Sequence, residues 1–171
     1  KVAPVAAMLH SQAEVVGLHP MTAPPKSPTL RGRVLVVCAA RIARWKPWLS
    51  ALLAALEAEC VAATPEQHDR AMALVQALVH AGHLAQASVL NDPAARPGAL
   101  ETLLPFRSAS FEMDAAIAAR ILSLNPSIYE DIQFGNPYVP DVLCRAAERL
   151  HRIATLVGQG SDAARNAFRQ E

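Results

Sequence analysis

The chain has 171 residues, enough for one domain or for a small domain with part of another. Its net charge is +1 with no basic run, which argues against nucleic acid as a partner. Hydrophobic residues make up 52% of it and aromatic residues only 5%, a balance that favours helices packed closely through alanine, and no apolar run approaches the length of a membrane span.

The chain enters a helical pattern at once, without an initiator methionine or a signal peptide, so it reads as a piece of something longer. Val2 to Met8 is short and apolar and reads as the end of a helix. Glu14 to Leu18 reads as a short buried strand, followed directly by His19-Pro20-Met21. Proline biases His19 towards an extended conformation and so puts the imidazole at the carboxyl end of that strand. In open α/β sheets ligands bind outside the carboxyl ends of strands, which makes His19 a candidate for catalysis. Thr22 to Arg31 carries Pro24, Pro25 and Pro28 and reads as a loop. Gly32 to Ala40 is the continuous apolar run of a fully buried parallel strand. Trp45 to Glu59 has the period of an amphipathic helix, with Trp45, Trp48, Leu49, Leu52, Leu53 and Leu56 on its apolar side. Cys60 to Ala63 reads as one more short strand. Residues 1–63 are therefore the expected tail of an α/β domain.

Residues 64–171 read as helical. Thr64 to Ala85 opens with a capping box, Thr64 to Gln67, and with Pro65 at the first helical position. From Ala71 onward nearly every position is apolar, so most of the circumference is expected to be buried. At about 100° per residue Asp69, Gln76, His80 and His83 fall on one polar stripe, which must find protein, water or ligand partners. Helical pattern continues to about Leu90, and Asn91 to Gly98 is a turn-rich loop. Ala99 to Leu104 is a short helix or turn, and Ser110 to Leu124 a helix apolar nearly all round. Ser127 caps a short helix through Gln133, and Pro140 lies in the first turn of a helix to Val157. Gly158 and Gly160 end that helix, and Ser161 caps a last, frayed segment.

Arg120 stands alone among alanine, isoleucine and leucine, and so needs an anion or must reach solvent. Asp69, Asp114 and Glu112 are internal candidates; a ligand carboxylate, gripped by the planar fork of the guanidinium, is the other. Cys38, Cys60 and Cys144 are widely spaced and odd in number, and read as reduced, buried thiols of a cytoplasmic protein. No metal is expected: His80 and His83 are three apart, but no motif supplies further ligands. Neither a Gly-x-Ser-x-Gly elbow nor a Gly-x-Gly-x-x-Gly phosphate loop is present.

Five stretches nevertheless fit one pattern. GLHPM at Gly17–Met21, QHD at Gln67–Asp69, QALVH at Gln76–His80, ARIL at Ala119–Leu122 and NPSIYEDI at Asn125–Ile132 resemble the prephenate dehydrogenase family in order and spacing. The resemblance implies the tail of a Rossmann-type α/β domain over 1–63, followed by an all-α substrate-binding and dimerisation domain over 64–171. It implies a homodimer, NAD or NADP as cofactor, and a prephenate-like dianion as substrate, oxidatively decarboxylated to 4-hydroxyphenylpyruvate; the lack of a spanning run leaves no membrane partner expected. His19 then matches the catalytic histidine. His80, Arg120, Gln76 and Tyr129 match substrate-binding positions, Tyr129 where an aromatic reaches in from the partner subunit. Lys1, Pro20 and Met21 fall near the cofactor, Lys1 as the last residue of the family's Ser-Val-Lys turn. Thr22-Ala23-Pro24-Pro25 departs from the family's glycine-bearing turn, and Glu112 stands where some relatives are basic. The alternatives are a relative acting on arogenate or another such dianion, and a non-catalytic helical module.

Overall fold

The computed structural model of the chain describes residues 2–22, 29–95 and 98–171. Lys1 and most of the proline-rich loop, Pro24, Pro25 and Pro28 included, lie outside the described residues. The chain forms two compact units, Lys1–Ala71 and Met72–Glu171.

The first unit is built on a three-stranded sheet, β1 (Val15–Pro20), β2 (Val34–Arg41) and β3 (Glu59–Ala62), in that order. The apolar run in β2 makes it the central strand, with Leu35, Val36, Val37 and Cys38 buried. It pairs parallel with β3, as its composition suggested. Its pairing with β1 is antiparallel, Val16 facing Ala39 and His19 facing Val36, so the sheet is mixed. The carboxyl end of β1 therefore lies beside the start of β2, and the rule for parallel strands does not place His19. Helix α1 (Val2–Met8) packs on β1 and β2. It comes so close that a Cβ at Gly17 would collide with Val2, which explains a glycine inside a strand.

Helix α2 (Lys46–Leu56) is shorter than expected, because Glu57 turns into the left-handed region at φ 50°. Leu49 is its buried residue, whereas Trp45 and Trp48 are 54% and 56% exposed and pack edge to face on each other. Glu14 takes up the free amide ends of the segment before α2, accepting from the N–H groups of Ala43, Arg44 and Trp45. Those three bonds favour its charged form and hold its carboxyl below the usual range, against the desolvation that opposes it. Helix α3 (Pro65–Met72) starts with the expected capping box: Gln67 N–H donates to Thr64 Oγ1 at 3.1 Å, and Thr64 N–H to Gln67 Oε1 at 2.9 Å.

In the second unit a π-helical turn at Ala73–Leu78 leads into α4 (Val79–Asn91). The extra residue of a π turn breaks the 100° arithmetic, so the expected stripe does not run through it. A 3₁₀ turn (Leu100–Phe106) is followed by α5 (Ala109–Ser123), α6 (Pro126–Phe134), α7 (Val139–Gln159) and α8 (Asp162–Phe168). Ala73, Ala77 and Val139 form a small core with Ile132, Tyr138, Val142 and Leu143 around it. Asn125, not Ser127, caps α6, accepting from Ser127 N–H at 3.1 Å, with Pro126 in the first turn. Gly160, at φ 62°, ends α7, while Gly158 lies inside it. The last segment is not frayed. Ser161 caps α8, Ala164 is buried, and Glu171 folds back to pair with Arg149 and Arg152 of α7.

The apolar helix is not buried around most of its circumference: Leu74, Val75, Val79 and Val89 are exposed. Pro65–Asn91, taken as one helical stretch, is long and apolar enough by length and composition to cross a membrane, contrary to the expectation from sequence. Helices that pack inside assemblies pass the same test, and Gln76, His80 and His83 within it would each be costly in lipid. Cys38 is buried, but Cys60 and Cys144 are exposed; all three are free.

Candidate functional site

His19 lies in β1, one residue from the strand's end, where extended backbone turns alternate side chains to opposite faces. It is half-buried, and its neighbours Pro20 and Met21 are exposed. His19 Nδ1 lies 2.8 Å from His68 Nε2, the rings edge to face at 5.1 Å. His68 sits on the first turn of α3, which the capping box fixes, and its Nδ1 lies 2.8 Å from Asp69 Oδ1. Burial first, then the nearby His68, push the His19 imidazole below its ordinary value and favour the neutral base. Cys38, across the sheet, has its thiol pushed up by burial and by Asp69, and is neutral.

His80 lies on α4 against Tyr129 of α6, the rings nearly perpendicular at 81° with centroids 4.9 Å apart. Tyr129 thus meets His80 within one chain. His80 is pushed below its ordinary value by burial, then by the positive charge of Arg120, then by His83. Its Nδ1 is buried and has no hydrogen-bond partner in this structure. Gln133, one turn along α6 from Tyr129, donates to the carbonyl of Ala77 at 2.9 Å, and its Oε1 is likewise buried without a partner. Gln76 is half-buried in the π turn.

Arg120, on α5, is exposed and close enough to His80 for its charge to be felt. Among the described residues no carboxylate pairs with it. The internal candidates are engaged elsewhere: Asp114 with His83 at 3.4 Å and with Gln86, Glu112 with Arg107 at 2.6 Å, and Asp69 with His68. His83, three residues after His80 on α4 and near enough for its charge to act on it, meets the carbonyl of Val79 at 2.8 Å.

Two groups of side chains result, His19 with His68 and Asp69, and His80 with Arg120 and Tyr129. His68 was missed as a partner of His19, since the two are 49 residues apart and no local period links them. The only signal was its place in the QHD motif. Lys1 lies outside the described residues. Among those described, no group of three or more His, Cys, Asp or Glu is placed to hold a metal. A cavity of about 630 Å³ around Ser11, Glu14, Arg41 and Lys46 includes none of the candidate residues. One of about 300 Å³ is lined by Leu84, Ile121, Leu122, Tyr129 and Gln133 among others.

The family model of the prephenate dehydrogenase dimerization domain matches residues 64–169. A probable arogenate/prephenate dehydrogenase of Methanocaldococcus jannaschii is 28% identical over 131 residues, 75% of this chain and 28% of that protein. The 4-amino-4-deoxyprephenate dehydrogenase of Streptomyces pristinaespiralis is 31% identical over 149 residues, 87% of this chain and 49% of that one. The chain thus spans less than half the length of these relatives. The crystal structure of prephenate dehydrogenase from A. aeolicus, in complex with hydroxyphenyl propionate and NAD+, superposes with a TM-score of 0.64 at 18% identity, covering 91% of this chain and 56% of that one.

Proposed function

The chain belongs to the prephenate dehydrogenase family, and on that premise we propose that it carries the base and the anion-binding groups of an NAD- or NADP-dependent oxidative decarboxylation of prephenate. In this reading residues 1–63 complete the nucleotide-binding side, and residues 64–171 bind substrate and form a homodimer. The single observation that carries it is the half-buried imidazole of His19, its Nδ1 2.8 Å from His68 Nε2 near the end of β1, where burial favours the neutral form.

NAD or NADP, when bound, supplies the hydride acceptor for the hydroxyl-bearing ring carbon of the substrate. The exposed Pro20 and Met21, next to His19, fit an apolar contact with such a ring. His19 takes the hydroxyl proton as the hydride leaves. The bond to the ring carboxylate then breaks, carbon dioxide departs and the ring becomes aromatic. The proton returns from His19 to the phenolate oxygen, so none is released overall. Arg120 supplies a free guanidinium for a carboxylate, and His80 with Tyr129 and Gln76 gives that region its polar wall. Holding hydride donor, acceptor and anions in place is most of what the protein must do.

The test is an assay of the complete protein with NAD or NADP and, in turn, prephenate, arogenate and 4-amino-4-deoxyprephenate. Formation of reduced nicotinamide and carbon dioxide with prephenate is expected. Turnover with either of the others alone keeps the reaction class and changes the substrate. No turnover with any of them, by protein able to bind the cofactor, contradicts the reading and favours a non-catalytic module.

A further inference from the structure

We infer that His68 and Asp69 are positioning residues that fix His19 in the one neutral tautomer able to accept a proton at Nε2, an inference that rests on the base role proposed for His19. The geometry is a chain of two short contacts: Asp69 Oδ1 to His68 Nδ1 at 2.8 Å, and His68 Nε2 to His19 Nδ1 at 2.8 Å. An ionised carboxylate only accepts hydrogen bonds, so His68 Nδ1 must carry the hydrogen. A neutral imidazole has one N–H, which leaves His68 Nε2 as an acceptor. The nitrogen that faces it, His19 Nδ1, must then donate. The lone pair of His19 is left on Nε2, on the far side of the ring from His68. The opposite polarity, with His68 doubly protonated and donating from Nε2, would put the hydrogen of His19 on Nε2 and close it as a base.

The surroundings suit this chain. His68 and Asp69 are mostly shielded from solvent, so the pair is weakly screened. The residue opposite His19 on β2 is Val36, which neither donates nor accepts through its side chain. The nearby titratable group on β2, Cys38, is neutral. During the reaction the substrate O–H bond breaks and its proton goes to His19 Nε2. His19 Nδ1–H goes on donating to His68, and the Asp69 carboxylate, through His68, stabilises the imidazolium. A bound nicotinamide would supply the hydride acceptor, and His19 returns the proton from Nε2 to the phenolate. Nothing passes along the chain, whose part is to set the tautomer and hold the ring.

Asp69→Asn tests this. The amide can donate to His68 Nδ1, which reverses the chain and moves the hydrogen of His19 to Nε2. In the complete protein, kcat should fall on the order of 10²–10⁴-fold, the scale known for the wrong tautomer in other histidine-dependent enzymes, with a much smaller change in KM. Asp69→Glu should recover part of the loss. Nitrogen NMR on histidine-labelled protein near neutral pH should show His19 with its hydrogen on Nδ1 in the parent and on Nε2 in Asp69→Asn. A parent His19 protonated on Nε2, or an Asp69→Asn protein with the parent's tautomer and kcat, would overturn the inference. Absence of turnover in the parent would refute the proposed reaction, and the NMR would still decide whether His68 and Asp69 set the tautomer.

Discussion

Arg120 separates a ligand role from a structural one. Its nearest sequence candidates for an ion pair are occupied by His68, His83, Gln86 and Arg107, and the guanidinium is exposed. Arg120→Gln should therefore leave a thermal melt without substrate unchanged. It should raise KM about tenfold to a hundredfold, the value of one lost charge-assisted hydrogen bond. A collapsed melt would mean a buried carboxylate had been stranded instead. His19→Asn should lower kcat by roughly 10²–10⁴-fold, with KM less affected; near-parent turnover would remove His19 from the mechanism. The histidines also set a pH dependence. His19 and His80 are both held below the ordinary imidazole value of about 6.5, chiefly by burial. Unfolded chain takes up these protons near that value and folded chain resists them. Stability is thus full above about 6.5 and falls as pH drops from there through the lowered values. His80→Gln should flatten the fall in Tm on acidification. An equal slope in parent and variant would contradict the assignment for His80.

Helix α3 shows how an element serves the residues on it. Its capping box fixes the turn that carries His68 and Asp69, so Thr64→Ala should cost about 0.5–2 kcal/mol in denaturant unfolding, with no change contradicting the cap's role. This box was legible in sequence because both partners lie within four residues. The same holds for Ser161 and for the proline breaks at Pro126 and Pro140. Pairings distant in sequence were not legible. The antiparallel partner of β1, the meeting of His19 with His68 and the contact of His80 with Tyr129 all join segments that no local period relates. The π turn was missed for a different reason. An apolar run of alanine, leucine and valine fits either helix geometry, so nothing local marks Ala73–Leu78 as π-helical. Trp45 and Trp48 were expected inside because they share the apolar side of α2 with Leu49. Leu49 is buried and Leu52, Leu53 and Leu56 are half-buried, whereas the two tryptophans at the start of the helix stay in solvent.

On the scale of the molecule, the second unit leaves Leu74, Val75, Val79, Leu122, Leu150 and Val157 exposed. A groove of about 540 Å³ runs among Leu84, Leu104, Phe111, Ala115 and Leu122. In the proposed reading a second copy of the chain covers this apolar surface. Sedimentation at micromolar concentration should give a dimer, and Leu122→Glu should weaken it; a strictly monomeric parent would count against the second copy. The reaction itself is tested most directly by single-turnover kinetics of the complete protein with prephenate and NAD or NADP, parent beside His19→Asn. The parent should form one reduced nicotinamide and one carbon dioxide per prephenate consumed. The variant should bind substrate almost as well and form both products on the order of 10²–10⁴-fold more slowly. Equal rates in the two proteins, or nicotinamide reduction without release of carbon dioxide, would contradict the oxidative decarboxylation with His19 as its base.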